Sequence, residues 1–387
     1  MLITDKNALY IMSKLESNSY TAYAVGGCVR DALLGRTVND IDIATSASPE
    51  ETKRVFSDKK VVETGIRHGT VTVIVDGKPY EVTTYRVESG YGDQRHPDHV
   101  DFVDDVEADL SRRDFTVNAM AYSPVRGLVD PFGGREDVEK GVIRCVGDPY
   151  RRFGEDALRI MRALRFSSVL GFEIEPNTAR ALHELKDNLQ NISVERIYAE
   201  LKKLVLGARA GETVKAFADV ISAVAPVSDT NGAFASLPAD AAMRFACLFG
   251  SNCGEVLRSL RCDNATVRAA SDYALSRPIP KDEIGKRFYA AAYGRAHAPE
   301  VALYRRILFG EDPSDSVGAI CADFGCLSVR ELAVKGNDLK KIGFSGGAIS
   351  RGLDILLDRV IRGETDNDKH ELVSFASEIL KNGVDNL

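Results

Sequence analysis

The chain has no tryptophan, only 6 histidines, and 7 cysteines scattered through 387 residues. No CxxC pair occurs. The odd number and the spacing of the thiols fit neither a zinc site nor a disulfide framework, so they are expected to be reduced, as in a cytoplasmic protein. No apolar run approaches the ~20 residues that cross a bilayer. The opening residues, MLITDKNALY, lack the basic, then apolar, then small-residue order of a secretion signal. A basic excess is missing too: 50 Lys and Arg face 57 Asp and Glu, a formal charge of −7. This excludes a protein that coats nucleic acid over its whole surface and leaves room for a local basic groove. What remains, 44% hydrophobic and 28% charged residues, describes a globular chain of about two to four domains with cores of their own.

The stretch from Tyr23 to Thr45 carries the first chemistry. Its order predicts a strand ending at Val25, a turn at Gly26 and Gly27, a helix over Cys28–Leu34 stopped by Gly35, and a second strand. Paired glycines let the backbone turn tightly and bring its N–H groups close to a ligand. The helix start would point its positive end at that turn, where a phosphate fits, and Arg30 adds a mobile cation. On the second strand, Asp40 and Asp42 are two apart and would share a face, with Ile41 and Ile43 turned into a core. Side-by-side carboxylates repel unless a cation lies between them, and carboxylates plus substrate phosphates are the usual surroundings of Mg²⁺. A solvated strand edge is the plainer reading of a lone DxD; the glycine turn and the arginine just before it favour the metal.

Further along, residues 2–18 read as an amphipathic helix. Ser48-Pro49-Glu50-Glu51 reads as an N-cap with proline at the first helical position, leading a helix to about Phe56. Residues 69–75 and 80–85 read as strands joined by the hairpin signal Asp76-Gly77. Glu81 is an acid in that second strand. It is either a third carboxylate beside Asp40 and Asp42 or an outward-facing strand residue. Residues 86–111 are polar and turn-rich and are expected to form a mobile loop. After them, Arg112-Arg113-Asp114, with Asn118, suits a helix start facing a phosphate or ribose, although such strings are also common in salt-bridged surface turns.

Residues 151–166, RRFGEDALRIMRALRF, have strong helical propensity, and Asp156, Arg159 and Arg162 step by three along one broad face. One reading is a helix decorated with ion pairs. The sharper one is a base reader. A carboxylate accepts from an exocyclic amine and a guanidinium donates in a fixed fork. Cytosine and adenine offer an amine and a ring-nitrogen acceptor; guanine and uracil offer a carbonyl and an N–H instead. A bidentate contact of this kind discriminates by ~1–3 kcal/mol, so selection of CTP and ATP over UTP and GTP is expected.

Taken together, GGCVRD (26–31), DIDIAT (40–45), HGTV (68–71), EVTTYR (81–86), RRDFTVNAMA (112–121), DPFGG (130–134), IRCVGDP (143–149), RRFGEDALRIMRALRF (151–166) and ISVERI (192–197) resemble, in order and spacing, the class II bacterial tRNA nucleotidyltransferases. These are the CCA-adding enzymes of the polymerase-β-like superfamily. Past residue 210 the likeness thins, returning in the stretch that begins LAVKGNDLKK at 332. The resemblance implies an α+β chain: a nucleotidyltransferase head with a mixed β-sheet (1–149), then helical neck (150–209), body (210–328) and tail (329–387). It implies that Asp40 and Asp42 are Mg²⁺ ligands, with Glu81 as a third active-site acid. Gly27, Arg30 and Arg113 would meet the triphosphate. Asp156 and Arg159 would serve as the amino-acid template, with Arg162 and Arg165 near the nucleotide phosphates or sugar.

The implied partners are the tRNA 3′ end, ATP and CTP, with no membrane. Candidate tRNA contacts are Arg196, Lys202 and Lys203 in the neck and Lys335, Lys340, Lys341, Arg351 and Arg359 in the tail; each is equally compatible with a solvated helix face. The loop from Glu88 to Pro97, with Tyr91, Asp93 and Arg95-His96-Pro97, looks intact, which favours full CCA addition over a CC-only enzyme. A-only addition stays open. The acidic C-terminal balance speaks against a poly(A) polymerase. The presence of both aspartates speaks against a silent RNA-binding relative, and the long helical half against transfer to a small molecule.

Overall fold

The computed structural model describes residues 2–90, 99–311 and 314–382. The chain divides into two compact units. One holds the residues up to Ala235 together with Glu255–Cys262; the other holds Ser236–Gly254 and the chain from Asp263 onward.

The first unit is built on a mixed sheet. Its strands are β1 (Ala22–Val25), β2 (Asp42–Thr45), β3 (Lys60–Gly65), β4 (Thr70–Val75), β5 (Lys78–Thr84), and, after the two-stranded ribbon of β6 (Arg86–Ser89) with β7 (His99–Phe102), β8 (Ala121–Ser123) and β9 (Gly127–Val129). The sheet order is β3-β4-β5-β2-β1-β8-β9. Only β2 and β5 run parallel; the other neighbours are antiparallel. Strand β1 is wholly buried, as its AYAV sequence demands of a central strand. Strand β4, TVTVIV, alternates half-buried and buried residues, the period-two signature of a sheet with one covered face. The hairpin between β4 and β5 turns at Asp76 (φ 49°) and Gly77 (φ 77°), a left-handed pair that the Asp-Gly sequence accommodates. Tyr23, Val25, Ala44, Tyr85, Leu110, Ala119, Ala121 and Val146 form one buried cluster of this unit.

Helices α1 (Lys6–Ser17), α2 (Gly27–Leu33) and α3 (Pro49–Val55) flank the first strands. The last starts in a full capping box, Ser48 with Glu51. Then come α4 (Val106–Ser111), α5 (Gly134–Lys140), α6 (Pro149–Glu155), α7 (Leu158–Leu170), α8 (Pro176–Leu185), α9 (Val194–Val205) and α10 (Ala210–Ser222).

Several expectations change here. The segment 86–111 is not a loop where it is described: it forms the β6–β7 ribbon and α4, held by charged cross-links from Arg86 and Arg112 to Glu88 that its composition disguised. Residues 91–98, with most of the Glu88–Pro97 loop, lie outside the described residues. Strand β2 begins at Asp42, so Asp40 sits in the approach to the strand. The stretch 151–166 is not one helix, because Asp156 is extended (φ −143°, ψ 106°) between α6 and α7. Its side chain accepts from the backbone N–H of Leu158 at 3.0 Å. Aspartate competes in this way with the helical ladder and favours caps and turns. A late short strand, Glu173–Ile174, pairs in parallel with Val142–Ile143, so the neck expected to be helical carries a strand as well.

The second unit is helical. RFACLF (244–249) lies in the helix Ala241–Phe249, where Phe245 and Phe249 stack with ring centroids 5.7 Å apart. The stretch from 332 folds into the helices Gly336–Lys341 and Gly347–Arg362, packed with Lys369–Asn382 around Leu339, Phe344, Leu356, Val360, Leu372 and Ala376. Among the described residues no helix is long and apolar enough to cross a membrane. All seven cysteines are free thiols.

Candidate active site

Sheet register assembles the site. The last residue of β1, Val25, pairs with Asp42 on one side and Ala121 on the other. The glycine turn that follows β1 therefore opens at the same sheet edge at which β2 starts with Asp42. On the far side of β2, Ile43 pairs with Val82; carried back one residue, the register sets Glu81 beside Asp42. Exposure alternates as the sequence pattern asks: Asp40, Asp42 and Glu81 are exposed, while Ile41, Ile43 and Val82 are buried. None of the three acids has an ion-pair partner among the described residues. Limited hydration at the edge holds the Asp42 carboxyl above its ordinary range, then the charges of Glu81 and Asp40 raise it further, opposed by Arg113. Unpaired oxygen donors at an open edge fit a hard divalent cation. The fit is of two or three dispersed donors, since among the described residues no three His, Cys, Asp or Glu side chains converge as a preformed metal cluster.

The turn itself needs glycine. Gly26 has φ 77° and ψ −130°, outside the range of other residues, and a Cβ there would lie 2.8 Å from Arg113 Nη1. Gly27 opens α2. Both line a cavity of about 470 Å³ together with Asp42, Asp114, Asn118, Asp156, Phe166 and six arginines: Arg30, Arg112, Arg113, Arg159, Arg162 and Arg196. Six cations against three aspartates make this cleft a cationic pocket in an acidic chain, suited to a polyanion.

The arginines are not equally committed. Arg30, expected to be mobile, is buried; its fork is held by Asp31 at 3.0 and 3.1 Å and by Asn118, and it lies 5.4 Å from the Phe166 ring centroid. Arg113 makes a long bond to Asp109, 3.4 Å, and its Nε is buried without a hydrogen-bond partner among the described residues. Arg112 is fixed by Asp109 and Glu88 at 2.9 and 3.0 Å. Arg162 donates through Nε to Asp114 at 2.7 Å. Burial pushes the Asp114 carboxyl up, but the Arg162 charge and hydrogen bond, Asn118 and Arg159 together bring it down to about 2.

Asp156 and Arg159 both reach the cleft, but from different backbone states. Asp156 Oδ2 accepts from Arg196 Nη2 at 2.9 Å. Arg159 is held by Glu155 at 2.7 Å and by the carbonyls of Arg152 and Arg112 at 3.1 and 3.2 Å. Glu155 and Asp109 are residues that reading the sequence missed; the i,i+4 spacings of Glu155 to Arg159 and of Asp109 to Arg113 were their local signals. Arg165 does not line this cavity. It pairs with Glu200 at 2.8 Å in a neighbouring pocket that shares Arg30 and Phe166.

Arg196, read from sequence as a tRNA contact, stands in the cleft instead. Lys202 and Lys203 are exposed on α9, and Lys340 and Lys341 are exposed in the second unit; none has an ion-pair partner among the described residues. Arg351 is exposed as well. Lys335 is turned onto the carbonyls of Arg330 and Leu332, and Arg359 onto Phe375 and Glu364.

Comparison with known proteins follows the same map. The family described as "Poly A polymerase head domain" matches residues 22–144, and "Probable RNA and SrmB- binding site of polymerase A" matches residues 171–220. The CCA-adding enzyme of Leuconostoc mesenteroides is 55% identical over 205 residues, a match spanning 53% of this chain and 51% of that one. The CCA-adding enzyme of Limosilactobacillus fermentum is 37% identical over 391 residues, 96% of each chain. The crystal structure of the Bacillus stearothermophilus CCA-adding enzyme in complex with CTP matches with a TM-score of 0.79 at 33% identity, covering 98% of both chains. The mixed sheet is thus a polymerase-β-like nucleotidyltransferase head, and the chain belongs to the family of bacterial CCA-adding enzymes, the class II tRNA nucleotidyltransferases.

Proposed function

We propose that the protein synthesises and repairs the CCA terminus of tRNA, adding C, C and A from CTP and ATP without a nucleic-acid template. One observation carries the reading: a single cationic cleft unites the Gly26–Gly27 turn, Asp42 and the Asp156 and Arg159 side chains.

In this reading the triphosphate lies against the backbone of the glycine turn, with Arg113 as the cation free to close on it. Arg30, already saturated, shapes the turn and adds charge. The primer 3′-hydroxyl attacks the α-phosphorus in line; the new P–O bond forms as the bond to the pyrophosphate oxygen breaks. Positioning and charge stabilisation supply most of the acceleration in such transfers. The family depends on a divalent cation. Mg²⁺ would be held by Asp40 and Asp42 with Glu81 nearby, and would supply charge neutralisation for the phosphates and a lowered pKa for the primer hydroxyl.

The base is read by side chains. Asp156 accepts the exocyclic amine of cytosine or adenine, using lone pairs left over from Leu158 and Arg196. Arg159 donates to the ring nitrogen beside it. UTP and GTP would set a carbonyl against Asp156 and an N–H against Arg159, two mispaired groups in one desolvated site. Arg162, pinned by Asp114, faces the sugar or phosphates, and Arg165 adds positive charge from the adjoining pocket. We assign catalysis to residues 1–149, templating to 150–209, and tRNA binding to 329–387, with Lys340, Lys341 and Arg351 of that last segment and Lys202 and Lys203 at the end of the templating segment as the exposed candidates. The free thiols agree with action in the cytoplasm.

The test is incubation with Mg²⁺, labelled CTP or ATP, and tRNA ending at the discriminator base, at C, or at CC. Two C residues and then A are expected in turn. Addition of A alone to the CC-ended tRNA would replace this reading with an A-adding enzyme, and addition to none would overturn it.

A further inference from the structure

Asp156 is fixed at both carboxylate oxygens by different means. Oδ1 takes the N–H of Leu158, two residues on, at 3.0 Å. Oδ2 takes Nη2 of Arg196, which comes from α9, 40 residues away. The local bond alone leaves the carboxylate free to rotate about it. The second bond sets the plane of the group, and with it the direction of the lone pairs offered to the cleft. Hydrogen bonds weaken steeply off axis, so the orientation of this plane decides how sharply an amine is told from a carbonyl.

Arg196 itself lines the cleft, and its Nη1 is buried without a hydrogen-bond partner among the described residues. A buried donor without an acceptor is uncommon in a folded protein. Here one nitrogen serves Asp156 and the other is left incomplete inside the cleft wall. Helix α9 also holds α7 through Glu200 and Arg165, paired at 2.8 Å. The helix contact is therefore retained when Arg196 is shortened.

We propose that Arg196 is a specificity-determining positioning residue that sets the choice of base by orienting the Asp156 carboxylate. The proposal rests on the reading of Asp156 as the acceptor for the base amine. It moves Arg196 from the RNA-binding surface to the nucleotide-selecting machinery, and it makes base choice depend on the docking of α9 as well as on α7.

The experiment compares Arg196→Ala, Arg196→Lys, Asp156→Ala and the double alanine variant, measuring kcat/KM for CTP, ATP and UTP and the KM for tRNA. Arg196→Ala is expected to narrow the CTP-to-UTP ratio by roughly tenfold or more, in the range of one base-reading contact, with little change in the KM for tRNA. Arg196→Lys keeps most of the ratio. The double variant is expected to discriminate no worse than Asp156→Ala, because both act through one contact. If Asp156→Ala narrows the ratio while Arg196→Ala slows CTP and UTP equally, or raises only the KM for tRNA, the role of Arg196 is refuted and the template reading stands. If Asp156→Ala itself leaves the ratio unchanged, the template reading fails and this proposal fails with it.

Discussion

At the scale of single residues, the cleft separates charges that are spent from charges that are available. Arg30 and Arg162 are tied to Asp31, Asn118 and Asp114, whereas Asp42 has no ion-pair partner among the described residues and is raised first by its limited hydration and then by its acidic neighbours. An acid in that position gains most from a cation. Asp42→Ala is therefore expected to abolish nucleotide addition while tRNA binding survives in a filter assay; turnover equal to the parent would remove Asp42 from the metal site. Asp114 makes the opposite case. Its folded value of about 2 lies below the 3.8 of a free carboxyl, so its contribution is fully present above the unfolded value and is lost as pH falls through the folded one. The shift corresponds to ~2 kcal/mol. Urea titrations should show Asp114→Asn less stable than the parent by about that amount at pH 7, with the gap closing between about pH 4 and pH 2. A gap independent of pH would mean that the carboxylate charge is not what matters.

At the scale of elements, two breaks in regularity place the chemistry. The first is the interruption at Asp156. Helical propensity through RRFGEDALRIMRALRF is strong, yet an aspartate whose side chain captures the N–H of Leu158 ends one helix and starts the next. The second is the turn before α5. The Asp130 carboxylate caps Gly134 and Arg135 at 2.7 and 2.9 Å, and Gly134 packs so closely that a Cβ would lie 2.2 Å from the Thr116 carbonyl oxygen. That oxygen belongs to the short 3₁₀ turn Thr116–Asn118, and Asn118 holds Arg30. Gly134→Ala should cost about 1–3 kcal/mol, the usual range for overpacking against a part that does not yield. It should lower the Tm by several degrees and raise the KM for CTP. An unchanged Tm would show that the 3₁₀ turn shifts freely.

At the scale of the whole molecule, a net charge of −7 coexists with a cleft of six arginines and with exposed lysines on α9 and in the second unit. Phosphate contacts give affinity that falls with salt. Replacing Lys340 and Lys341 by alanine should weaken tRNA binding and flatten its salt dependence, by roughly 0.7–0.9 in log–log slope for each phosphate no longer neutralised, with the KM for CTP unchanged. An unaltered slope would take these lysines off the RNA.

The alternating strands, the Asp-Gly hairpin, the glycine turn, the paired aspartates and the helical second half were all legible in the sequence. Each depends on side-chain periods or backbone preferences a few residues long. The ribbon after Arg86 and the break at Asp156 were not, because there a polar side chain's bond outweighed composition and propensity. What holds the site lay further off still. Arg162 finds Asp114 across 48 residues and Arg196 finds Asp156 across 40. No local rule reaches that far: such pairs exist only once sheet register and helix packing have brought distant segments within hydrogen-bonding distance.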